Sequence, residues 1–183
     1  MRWLTLYARS RQIPVALASA LVTTFAVWAI TDPPNPAMAA LSVVSAVGVL
    51  AIGLTGQDPH LDRTAAIRWF PRRVAHVVLI AAVASALLLA FTTDLAPAAF
   101  VLRAGAGLAG LAALAAAAFG GQHAWTLPLG WFAISFFIPR SDEVPVHVAT
   151  WLFQAPDNTP AAWTAGVLGV VGTTTYALAR PRR

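Results

Sequence analysis

The feature that most constrains this chain is a series of long apolar runs at residues 13–31, 37–55, 74–92, 98–120, 122–138 and 161–179. A helix needs about 20 apolar residues to cross the hydrocarbon core of a bilayer, so the runs predict six transmembrane helices. The fifth run is the shortest, and Pro128 interrupts it, which predicts a broken or tilted helix. Between the runs stand "DPPNP", "DLAP" and "GGQ", residues that punctuate helices. Only 10% of the chain is charged and 58% is hydrophobic, whereas a soluble domain is about one quarter charged. The fold class expected is therefore an all-α integral membrane protein made of a single transmembrane domain.

Orientation follows from arginine, the only strongly basic residue type in the chain. With the N-terminus in the cytoplasm, Arg2, Arg9, Arg11, Arg63, Arg68, Arg72, Arg73, Arg180, Arg182 and Arg183 fall inside and only Arg103 and Arg140 outside. An excess of Lys and Arg marks the cytoplasmic side, so both termini are expected there. The net charge of +5 and the pI near 11.3 raise the question of nucleic acid. These arginines cluster at the ends of apolar runs and not along a polar face, which argues against it. The first run is longer than the 7–15-residue core of a signal peptide, so it reads as a span although "AMA" follows at 37–39. Cysteine is absent, which excludes disulfides, thiolate metal sites and covalent c-type haem. Abundant Ala, Arg, Gly and Pro without Lys points to a high-GC bacterial genome and hence to the bacterial cytoplasmic membrane.

Residues 1–12 read as a cytoplasmic interfacial segment, 139–160 as an outer segment and 56–73 as a charged cytoplasmic loop. In that loop Asp58 can cap a helix with Pro59 at its first position, and Leu61, Ala65 and Trp69 then share one face. Pro71 is expected to stop this short amphipathic helix. Such a helix can lie in the headgroups, anchored by Trp and Arg, or dock on a soluble partner beneath the membrane. Asp58 and Asp62 favour docking, because acids gain nothing from an anionic leaflet.

This layout, together with "RWLTLYARSRQ", "DPHLDRTAAIRWF" and "WLFQAPDNTPAAW", resembles the permease subunits of type-2 ABC transporters. The resemblance implies an exporter subunit that dimerises with itself or with a second permease and is driven by a separate ATPase. It also implies that the loop is a coupling helix, with Asp58, His60, Leu61, Asp62, Arg63, Arg68 and Trp69 facing that ATPase. ATP and Mg would then sit on the partner, and no cofactor is expected in this chain, which has no "GxxxxGK[ST]" phosphate loop. The other readings are a non-transporting membrane anchor or regulator, and a redox protein in which His76 and His123 ligate haem.

Within the spans, Arg103 is the one basic residue well inside an apolar run. Ionisable residues there are functional candidates, although snorkelling or pairing with Asp94 would also accommodate it. Ala106, Gly110, Ala113 and Ala117 form a small-residue face in the fourth run, and Gly166, Gly169 and Gly172 form another in the sixth. These faces suit internal packing, a dimer seam or a translocation wall. No nucleophile elbow, "HExxH" or intramembrane carboxylate pair is present, so enzymatic chemistry is not expected.

Overall fold

The computed structural model describes residues 13–30, 35–54, 69–91 and 96–179, and every regular element among them is helical. In chain order these are α1 (Ile13–Ile30), α2 (Pro36–Leu50) continued by a 3-10 turn (Ala51–Leu54), α3 (Trp69–Phe91) and α4 (Ala98–Phe119). A 3-10 turn (Gly121–His123) leads to α5 (Thr126–Phe137), followed by α6 (Val144–Ala149), a 3-10 turn (Trp151–Phe153) and α7 (Thr159–Leu178).

Local chemistry explains the boundaries. Asn35 caps α2 by accepting from the Ala37 N–H at 2.9 Å, with Pro36 at the first position, where its missing N–H costs nothing. α4 ends at Gly120, whose φ of 93° suits a residue without a Cβ. The third helix is described from Trp69, five residues before the apolar run, so Trp69 to Arg73, the last residues of the charged segment 56–73, are helical. The amphipathic helix expected from Pro59 lies outside the described residues up to Arg68, and Pro71 itself stands inside a helix. It lies in the first turn of α3, where backbone N–H groups have no intrahelical partner to lose. Pro128 is likewise in the first turn of α5 and leaves that helix unbroken.

The residues 36–54, 69–90 and 98–119 form helices long and apolar enough to cross a membrane. At 1.5 Å per residue a 22-residue helix is about 33 Å long, against about 30 Å of hydrocarbon. The protein is thus a membrane-embedded helical protein. α5, at 12 residues, is only about 18 Å long. As a single helix it falls short of the crossing expected of 122–138.

α4 is the centre of the bundle. It packs most extensively along α7 and also touches α2, α3 and α5, whereas α1 leans on α2 and α3. Its composition permits this, because the buried face is almost entirely Gly and Ala around Leu108 and Leu111. A Cβ added at Gly172 would collide with the Gly110 backbone, and one added at Gly110 would lie 2.6 Å from the Gly169 Cα. Toward α3, a Cβ on Gly105 would run into the Ser85 hydroxyl. Such close approach replaces the hydrophobic driving force that lipid does not supply.

Gly172→Ala is therefore expected to destabilise the bundle by about 1–3 kcal/mol, the usual cost of overpacking. Gly166, whose added Cβ meets nothing within 4 Å, is the control: Gly166→Ala should be neutral or slightly stabilising. Thermal unfolding of both variants in detergent, followed by circular dichroism, checks the difference.

Candidate functional site

Two arginines grip the ends of the α4–α7 pair. At one end, Arg73 in the first turns of α3 donates through Nη1 to the Ala179 carbonyl at 2.5 Å and to the Tyr176 carbonyl at 3.3 Å. Its guanidinium also lies 5.6 Å from the centroid of the Tyr176 ring. The last carbonyls of a helix lack intrahelical partners and carry the negative end of its dipole, so a cation fits there. The Tyr176 hydroxyl in turn donates to the Leu54 carbonyl at 3.1 Å. Leu54 and Trp69 flank the charged loop in sequence. Both attachment points of that loop are consequently tied to the C-terminal tip of α7, directly at Leu54 and through Arg73 in α3.

Of the residues expected to face a partner, Asp58, His60, Leu61, Asp62, Arg63 and Arg68 lie outside the described residues. Trp69 begins α3, half-buried, with the Arg72 guanidinium 5.9 Å from its ring centroid.

At the opposite end Arg103, half-buried on α4, reaches across to the segment before α7. Nη1 donates to the Ala155 carbonyl at 2.7 Å, and Nη2 to the carbonyls of Gln154 at 2.5 Å and Trp151 at 3.3 Å. The guanidinium also lies 5.7 Å from the centroid of the Phe100 ring. Arg103, expected from the sequence as a transport residue, a snorkelling side chain or a partner for Asp94, binds backbone carbonyls among the described residues. Asp94 itself lies outside the described residues. The Ala155 carbonyl also accepts from the Asn158 N–H at 3.1 Å, and a planar fork of donors gathers all three carbonyls.

Below this clamp Trp151 is completely buried. A Cβ on Gly107 would come within 2.5 Å of its ring and 3.1 Å from the Ala165 Cα, so the indole fills the gap where α4 and α7 diverge. From α5, Trp131 Nε1 at 3.0 Å and the Ser135 hydroxyl at 2.8 Å both donate to the Ala149 carbonyl at the end of α6. The segment 144–158 is in this way a stopper, pinned by α4 and α5 and plugged into the bundle by one indole.

The small-residue face divides. Gly110 and Ala113 are buried, Ala117 is half-buried and Ala106 is exposed. Gly110 meets Leu168, Gly169 and Gly172 of the same chain, so the close approach it permits is made internally. Gly169 and Gly172 line the other side of that seam, while Gly166 faces open space. His123 is exposed, with Nδ1 3.2 Å from the Phe119 carbonyl, and His76 sits half-buried on α3. Among the described residues no group of three or more His, Asp or Glu gathers.

Sequence reasoning missed Arg73 and Tyr176 as partners, the plugging role of Trp151, and the polar residues around Asn158. Asn158 alone was legible, since Asn followed by Pro160 is a helix-start signal. Compared with protein-family models, curated proteins and solved structures, the chain gives no match.

Removing the Arg103 fork leaves three carbonyls without their charged donors. Arg103→Met is expected to loosen residues 151–155 at a cost on the order of 3 kcal/mol, with Arg103→Lys intermediate because one ammonium cannot reproduce the fork. Hydrogen exchange at residues 150–158 measures this directly.

Proposed function

We propose that this protein is the transmembrane subunit of an ABC-type exporter. It would act as a dimer, with itself or with a second permease, in the bacterial cytoplasmic membrane. In this reading the chain crosses the bilayer six times with both termini inside, α5 and its preceding turn forming the shortest crossing. A separate ATPase docks on the loop 56–73 through Asp58, His60, Leu61, Asp62, Arg63, Arg68 and Trp69, and holds the ATP and Mg.

The observation that carries the reading is how the ends of the loop are fastened. Leu54 and Arg73 are both bonded to the tip of α7, and α7 is locked to α4 backbone against backbone at Gly110 and Gly172. A displacement of Leu54 and α3 would in this reading be passed to α7 and α4 as a packed pair. Arg72 and Arg73 lie at the end of the bundle that holds Ala179, and Arg180, Arg182 and Arg183 follow Ala179 in sequence, in keeping with a cytoplasmic face. The stopper at 144–158 supports a second reading, a non-transporting anchor or regulator, because Arg103 and Trp151 fasten it to the bundle.

The test separates docking from transmission. The double variant Asp58→Ala, Arg63→Ala is expected to lose a P-loop ATPase that co-purifies with the natural chain, with helical content unchanged. Arg73→Gln should keep the ATPase bound but lower its stimulation by transported substrate. Unchanged association in the double variant would contradict the exporter reading, and bound ATPase without turnover in the natural chain would favour the anchor.

A further inference from the structure

The stopper contains one chain of side-chain hydrogen bonds whose direction is set at a single point. Asn158 caps α7, its Oδ1 accepting from the Ala161 N–H at 2.9 Å. Only an oxygen can take that bond, so the Asn158 amide nitrogen must face the other way. There it lies 3.2 Å from His147 Nδ1 and donates to Gln154 Oε1 at 3.4 Å. The Gln154 nitrogen donates to the Thr150 hydroxyl at 2.8 Å, and that hydroxyl donates to the Val146 carbonyl at 2.6 Å. Each link is oriented by the one before it. His147 Nδ1 is thereby left only the acceptor role, which requires the neutral ring with its proton on Nε2.

We propose that His147 is a proton-operated latch that holds α6 and the 154–158 turn against the start of α7 and releases them on acidification. A proton on Nδ1 sets two donors face to face. Asn158 cannot relieve this by turning over, because its oxygen would leave the Ala161 N–H and uncap α7.

Charged groups flank the latch on both sides. Asp142 and Glu143 immediately precede α6, and Asp157 lies in the turn beside Asn158. Opposing them, α4 contributes Arg103, held on the Gln154 and Ala155 carbonyls, and Arg140 follows α5. α5 itself has no titratable residue, and the one in α7, Tyr176, lies at the far end of that helix. Because the closed latch binds the neutral ring, it holds while Nδ1 is unprotonated and weakens when a proton is added there. The latch goes beyond the transport reading and does not depend on it.

The chain has no cysteine, so a single Leu152→Cys, at a position that is fully buried, reports opening by its reactivity. The purified full chain in detergent is labelled with a thiol reagent at pH about 5 and about 7.5, with either His147 or His147→Asn, whose amide oxygen can accept but not protonate near neutrality. Taking the ratio of the two backgrounds at each pH cancels the reagent's own pH dependence. Labelling is expected to be equal at the higher pH and about fivefold faster with His147 at the lower, the ratio corresponding to one hydrogen bond. Equal labelling in both backgrounds at both pH values overturns the latch. So does an acid-induced rise of the same size in the Asn variant. Should Leu152→Cys misfold, hydrogen exchange over 144–158 in the two cysteine-free chains reads the same opening. Faster exchange at low pH with His147 alone is then the expected result, and equal exchange in the two chains overturns the latch.

Discussion

The whole arrangement depends on α4 and α7 touching backbone to backbone. In water, helices associate because apolar side chains leave the solvent. In lipid that gain is missing, and contact has to come from surfaces that fit closely enough for many weak dispersion contacts. Gly110 and Gly172 are the residues that let this happen here, since neither position has room for a Cβ. The seam makes α4 a hub, with Ala104, Leu108 and Ala112 buried and α2 and α3 packed around it.

A seam of small residues has little to stop its helices sliding or splaying at the ends, and the two arginines address that weakness. Among the described residues, each donates its hydrogen bonds to carbonyls. Arg73 closes the C-terminal tip of α7, while Arg103 gathers the turn that leads into its N-terminal end. A fork of N–H donors on a carbonyl cluster needs no second buried charge, so it avoids the desolvation cost that makes buried ion pairs so often break even. Trp151 fills the space that the narrow seam cannot, at the point where Gly107 and Ala165 leave a slot the width of an indole.

How much of this could be read from the sequence follows from what each contact requires. The apolar run at 98–120 coincides with α4 to within a residue, because a long run of Ala, Gly and Leu bounded by Pro97 and Gly120 leaves little choice. Pro128 misled because a proline marks a boundary without saying on which side of it the first turn lies. The small-residue faces were visible as faces, but nothing in their spacing tells an internal seam from one between two chains. Arg73 and Tyr176 are 103 positions apart, and no local pattern joins them. Arg103 was visible as an anomaly inside an apolar run, yet its partners are main-chain carbonyls, which carry no sequence signature at all.

The central claim is that the α4–α7 seam lies within one chain. In this cysteine-free protein, Ala106→Cys combined with Gly169→Cys places thiols on the two sides of the seam, where an added Cβ at Gly169 would lie 3.3 Å from the Ala106 carbonyl oxygen. The decisive measurement is mild oxidation of this double variant in native membranes, with the products resolved by non-reducing electrophoresis and peptide mass spectrometry. A rapid disulfide confined to monomers is expected. A cross-link found only between two chains, or none under conditions that oxidise an exposed control pair, would contradict the internal seam.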